Sequence, residues 1–158
     1  MSTRRRLVAF GAVAAVAIAV AVFLAWFGVR AGRPGGLLVD ADAATIEAGR
    51  AVYARHCASC HGDRLQGEPD WRTRKPDGRL PAPPHDDSGH TWHHPDEQLI
   101  AITTLGMKPP LAPDGYESNM PGFGGVLGDR EIFAVLAFIA SRWSPESRAH
   151  QARVTRAR

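Results

Sequence analysis

The chain has 158 residues, enough for about one compact domain, and its formal net charge of +3 hides an uneven distribution. Residues 40–146 contain 10 basic and 16 acidic side chains, a balance of −6, whereas the two ends together carry nine basic side chains and no acidic one. An acidic central region argues against nucleic acid binding, which needs a basic folded surface. Sixteen glycines and twelve prolines exclude a long helical bundle, and a content of only two cysteines excludes a disulfide scaffold.

The amino-terminal segment has the features of a membrane anchor. An uncharged run of 23 residues extends from Leu7 to Val29, with three arginines before it and Arg30 after it. As a helix it spans roughly 34 Å, which exceeds the ~30 Å hydrocarbon core of a bilayer. The three arginines favour a cytoplasmic amino end, so the residues after Val29 are expected outside the cytoplasm. The alternative is a cleaved signal peptide, although the apolar region of such a peptide usually has only about 7–15 residues.

Three helices are predicted in the central region, and they indicate an all-α fold class. They cover residues 44–55, 95–105 and 129–143. The third helix has apolar residues at the spacing of one helix face: Ile132, Val135, Leu136 and Ile139. Two long loops, residues 62–92 and 106–126, separate these helices, and loops of such length in a compact domain usually belong to a functional site. A bound prosthetic group with apolar faces would complete the core.

The chain divides into four predicted parts. Residues 1–29 are the transmembrane anchor or an uncleaved signal, and residues 30–43 are expected to form a linker because glycines and a proline interrupt structure there. The folded domain is expected at residues 44–143. Residues 144–158 form a polar, basic tail that is expected to be disordered.

Both cysteines of the chain lie in one five-residue motif, Cys57-Ala58-Ser59-Cys60-His61. The pattern C-x-x-C-H is typical of covalent c-type haem attachment. Residues i and i+3 lie on the same side of a helical turn, so both thiols can add to the two vinyl groups of one haem. The next residue, His61, can then coordinate the iron.

Other interpretations of this motif explain less of it. A zinc site needs four ligands, and a second pair of cysteines is missing. A thioredoxin-like redox pair needs a βαβ unit, whereas no strands are predicted. A plain disulfide leaves His61 without a role. The sequence therefore predicts one covalently attached haem c.

Over residues 44–143 the chain resembles the class I c-type cytochromes. The order of features is the same: a first helix with Gly49, the haem motif, a Met-Pro-x-Phe segment that begins at Met120, and a carboxy-terminal helix. The resemblance implies a cytochrome c-like fold around the haem, with His61 and Met120 as the axial ligands of the iron. It also implies that Gly49 allows the first helix to approach Phe138 of the last helix closely.

Two assignments that follow from the resemblance stay open. Met107, which follows Gly106 directly, is the alternative axial ligand. In this family a proline carbonyl accepts the second ring proton of the axial histidine, and such a contact orients the imidazole. Either Pro83 or Pro84 can supply this carbonyl.

Four histidines lie within ten residues: His85, His90, His93 and His94. Imidazole suits both copper and zinc, so a second metal site is one hypothesis. The irregular spacing instead favours a polar surface loop, and a second metal is not expected.

The predicted function is one-electron transfer by a membrane-tethered periplasmic carrier. When both axial positions of the iron are filled, substrate cannot readily bind, which favours an electron-transfer protein over an enzyme. The expected location is the bacterial inner membrane, with a single pass and the haem domain on the periplasmic side. The expected partners are redox proteins of the membrane or periplasm. Two alternatives are a copper- or metal-handling module that uses residues 85–94, and the cytochrome subunit of an oxidoreductase complex.

Overall fold

The computed structural model describes residues 38–157, and this part of the chain contains helices and no β-strand. The helices are, in chain order, α1 (Ala43–His56), α2 (Ala58–His61), α3 (Asp96–Leu105), α4 (Asp129–Ser141) and α5 (Pro145–Arg156). Two 3₁₀ helices, Leu38–Asp40 and Thr91–His93, precede α1 and α3. The all-α fold class is confirmed for the described residues.

The three predicted helices correspond to α1, α3 and α4. The start of α1 is fixed by Asp42, whose side chain accepts the N–H of Thr45 at 2.7 Å. Pro95 caps α3 rather than lying within it, so that helix begins one residue later than predicted. The side chain of Glu131 accepts the N–H of Gly128 at 3.1 Å at the start of α4. This helix ends two residues before its predicted end.

The core is built around the crossing of α1 and α4. A Cβ atom at Gly49 would lie 1.9 Å from the carbonyl oxygen of Ala134 and 3.0 Å from Cβ of Phe138. Only glycine fits at this position, because any side chain would overlap the backbone of α4. The ring of Phe138 also packs 5.4 Å from that of Tyr53, measured between centroids. The close approach of Gly49 to Phe138 is confirmed.

The fourth long helix, α5, shows that the predicted disorder is wrong for residues 144–157, the part of the tail that the structure describes. Ser144 caps the helix by accepting the N–H of Ser147 at 3.2 Å, and Pro145 occupies the first turn. The buried positions of α5 are Ser147, Gln151 and Ala152. Because two of these three are polar, the helix lacks the apolar periodicity by which helices are usually recognised.

A buried polar cluster joins α5 to the start of α3. Gln151 is fully buried, and its amide donates to the carboxylate of Asp96. The same carboxylate accepts the backbone N–H of Leu38 at 3.0 Å and the hydroxyl of Thr155 at 3.2 Å. Leu38 and Val39 are themselves buried in the core. The predicted linker at residues 30–43 therefore overlaps the folded domain from Leu38 onward.

Among residues 38–157, no helix is both long enough and apolar enough to cross a membrane. The predicted anchor at residues 1–29 and the start of the predicted linker lie outside the described residues.

Candidate haem-binding site

The Cys-x-x-Cys-His motif forms a tight turn directly after α1. Cys57 ends α1 by donating its N–H to the carbonyl of Tyr53 at 2.9 Å, and the single turn of α2 follows. The N–H of His61 closes this turn on the carbonyl of Cys57 at 2.9 Å. The hydroxyl of Tyr53 donates to the carbonyl of Gly62 at 2.8 Å. Helix α1 thus holds both ends of the turn through one tyrosine.

The two cysteines form no disulfide with each other and lie in different surroundings. Cys57 is partly buried against the core, whereas Cys60 is exposed. Burial, together with the neighbouring Cys60, raises the pKa of the Cys57 thiol to about 11. Thiols three residues apart on one helical turn lie on the same side, so this pair can react with a single flat ligand.

His61 is buried and oriented by one hydrogen bond. Its Nδ1–H donates to the carbonyl of Pro83 at 2.8 Å. Of the two prolines that the sequence leaves open, Pro83 makes this contact. Burial lowers the pKa of His61, although the Pro83 carbonyl and Glu68 act in the opposite direction. A neutral imidazole with its Nδ1–H engaged presents the lone pair of Nε2 to a metal.

The loop after the motif places Pro83 beside His61. The N–H of Gly67 donates to the carbonyl of His61 at 2.8 Å, and the N–H of Glu68 donates to the carbonyl of Ala82 at 2.9 Å. The side chain of Glu68 accepts the N–H of Ala82 at 2.6 Å. Gly67 has a φ of +68°, and a Cβ there would lie 2.5 Å from the nitrogen of Pro84. This part of the predicted loop therefore has a defined structure, which places the carbonyl of Pro83 within hydrogen-bonding distance of His61.

His85 lies against one face of His61. The two ring centroids are 3.9 Å apart and the ring planes are inclined by 22°. Burial, more than the nearby His61 and His90, lowers the pKa of His85 well below its usual value and so favours the neutral ring. The sequence groups His85 with the other histidines of its loop and gives no sign of this contact, except that it follows Pro83 by two residues.

The other histidines of the cluster are not gathered around a common point. His90 stacks on Trp71 with centroids 5.4 Å apart, and its edge contact with His94 has a centroid distance of 5.5 Å. His93 stacks on Trp92 at 3.7 Å. Among residues 38–157, no group of three or more His, Cys, Asp or Glu side chains could hold a metal ion. The geometry thus gives no support to a second metal site at these positions.

The Met-Pro-x-Phe segment is attached to the end of α3. The N–H of Phe123 donates to the carbonyl of Thr103 at 2.9 Å, and a Cβ at Gly106 would lie 3.1 Å from the carbonyl oxygen of Met120. Phe123 also contacts His56, the residue before the haem motif, with ring centroids 6.3 Å apart. The structure therefore brings the segment that carries Met120 beside the end of α1.

Both internal methionines lie close to the end of α3. Met107 follows Gly106 directly, and the Met120 backbone packs against the same glycine. Both side chains are partly exposed. The geometry thus places both sulfur-bearing candidates in one region of the surface.

The residues present fit a haem that is attached through thioethers. His61 Nε2 makes no hydrogen bond within the described part of the chain, and the two cysteines are not paired in a disulfide. Residues 44–139 match the family described as "Cytochrome C oxidase, cbb3-type, subunit III". Neither curated proteins nor solved structures give a significant match. Because the family match covers more than half of the chain, the protein belongs to this family, and residues 44–139 form a c-type cytochrome domain of an electron-transfer protein that uses haem.

Proposed function

We propose that this protein is a membrane-tethered periplasmic one-electron carrier, with one haem c attached through Cys57 and Cys60. The observation that carries the proposal is the geometry of His61, whose Nδ1–H is engaged by Pro83 while Nε2 stays available for iron. When bound, the haem supplies a metal centre that takes up and releases one electron. The chain attaches the group through the two thiols, orients the imidazole and keeps water from it by burial.

The test uses full-length protein purified from cells that mature c-type cytochromes. We expect a peroxidase-type haem stain at the mass of the chain on a denaturing gel, because thioethers survive denaturation. We also expect a reversible one-electron redox titration. A denatured chain without stain contradicts covalent attachment, and a protein that cannot be reduced and reoxidised contradicts the carrier function.

Met120 is the proposed sixth ligand, supported by its Met-Pro-x-Phe context and by the contact between Phe123 and His56. We expect Met120→Ala to keep the haem attached but to lower the reduction potential, because a soft thioether stabilises ferrous iron. The far-red sulfur-to-iron band of the oxidised protein should also disappear. Met107→Ala is the matched control and should keep the band in the absorption spectrum. The reverse pattern would show that Met107 is the ligand.

The membrane tether is proposed from the sequence of Leu7–Val29. A tether raises the effective concentration of the carrier near membrane partners. We expect the full-length chain to stay in membranes that are washed with alkaline carbonate, and externally added protease to remove the haem domain from spheroplasts. Soluble protein that lacks residues 1–30 would contradict the anchor and would support a cleaved signal peptide.

A second candidate function is that of a cytochrome subunit within a membrane oxidase complex. The match of residues 44–139 to a family named after an oxidase subunit favours it. In such a complex the haem would receive electrons and pass them to a partner that carries out the chemistry. Purification under mild detergent distinguishes the two candidates, because a subunit co-purifies with its partners in a fixed ratio whereas an independent carrier does not.

A further inference from the structure

The side chain of His85 has no role in haem attachment, yet it packs face to face on the imidazole of His61. The ring centroids are 3.9 Å apart and the planes differ by 22°. The hydrogen bond to Pro83 fixes one atom of the His61 ring, whereas a flat group against the ring face restricts rotation of the whole plane. Together the two contacts define both the direction and the plane of the imidazole.

His85 is itself held by three separate segments of the chain. Its Nδ1 pairs with the hydroxyl of Thr91, in the second 3₁₀ helix, at 2.8 Å. Its backbone N–H donates to the carbonyl of Leu65 at 2.8 Å. Its carbonyl accepts the indole N–H of Trp143, just after α4, at 2.8 Å. Because Thr91 and Trp143 are buried, the ring of His85 has a fixed position and can serve as a rigid support.

We propose that His85 is a positioning residue, which sets the plane of the His61 imidazole and thereby the electronic structure of the iron. This inference rests on the proposed ligation of haem iron by His61. The plane of an axial imidazole determines how its π orbital overlaps the iron d orbitals. A change in that plane therefore alters the magnetic anisotropy of the oxidised iron while all ligands stay in place.

The test is the low-temperature electron paramagnetic resonance spectrum of the oxidised, full-length protein with haem. We expect one set of low-spin principal g-values for the parent protein, and shifted or broadened values for His85→Leu, because leucine has no flat face. His85→Phe, which restores a flat ring without Nδ1, should return most of the parent spectrum. Proton NMR shifts of the haem methyl groups, which also depend on the imidazole plane, should change in the same order.

A purely structural role would lower the unfolding temperature of His85→Leu and leave its g-values and methyl shifts unchanged, and that result overturns the proposal. If His85→Leu does not fold, Thr91→Val is used instead, since it removes only the hydroxyl that holds the ring. If the Thr91→Val variant shows the same g-values as the parent protein although its His85 ring is no longer held, that result would likewise overturn the proposal. The haem stain distinguishes failure of the proposed function from failure of the proposed role of His85. A parent protein without stain contradicts the proposed function, whereas a stained parent protein leaves only the role of His85 under test.

Discussion

Replacing both Cys57 and Cys60 with alanine should abolish covalent haem attachment, while either single substitution should leave at most one thioether. The two thiols are the only cysteines of the chain and lie on one turn, so no other side chain can replace them. The mass of the denatured protein reports attachment directly, and the alkaline pyridine spectrum reports how many vinyl groups have reacted.

Ser59→Ala is the matched control for the cysteine variants, because it alters the same turn without removing a thiol. It should retain the haem and both thioethers. Covalent haem in the double cysteine variant would show that the group is attached elsewhere, and the electron-carrier proposal would lose its chemical basis.

Gly49→Ala should destabilise the domain strongly. The added Cβ would lie 1.9 Å from the carbonyl oxygen of Ala134, and no side-chain rotation can relieve this overlap because both atoms are fixed by backbone. Overpacking of a core typically lowers the free energy of unfolding by about 1–3 kcal/mol. Because the added atom would overlap backbone, we expect the loss for Gly49→Ala to lie at the upper end of this range or above it. The gain in helix propensity from glycine to alanine is only about 1 kcal/mol. Urea unfolding of the haem-loaded protein measures the difference.

Gly125→Ala is the control for this substitution, since a Cβ at that position meets no atom within 4 Å. Surface changes of this kind usually alter stability by no more than about 0.5 kcal/mol. Equal unfolding free energies for the Gly49 and Gly125 variants would contradict the close crossing of α1 and α4.

The parts of the fold that depend on local patterns could be predicted from the sequence. The apolar spacing of Ile132, Val135, Leu136 and Ile139 marks α4, and all four are at most 5% exposed. Hydrophobic periodicity does not reveal helix α5, because Gln151 is buried through hydrogen bonds rather than through apolar contacts. Its start nevertheless carries a recognisable signal in Ser144 followed by Pro145.

At the candidate site, the motif spacing predicts the roles of Cys57, Cys60 and His61 but does not specify what surrounds them. The choice between Pro83 and Pro84 depends on how a long loop folds back on the motif, which involves contacts between residues distant in sequence. The position of His85 depends in addition on Trp143, which lies 58 residues away. Contacts between residues so far apart in sequence leave no local pattern from which they could be predicted.

The buried polar cluster at Asp96 would have a mechanical consequence in the proposed membrane-anchored form of the chain. Tension on the amino end would first load the hydrogen bond from the N–H of Leu38 to the carboxylate of Asp96. It would next load the hydrogen bond from the side chain of Arg148 to the carbonyl of Val39, which is 2.6 Å long. Asp96 of α3 and Arg148 of α5 would therefore bear part of the tension before the tension reaches α1 and the turn that carries the cysteines. In the proposed anchored form, a pull on the amino end would thus be resisted at Leu38 and Val39, before it reaches the turn that carries Cys57 and Cys60.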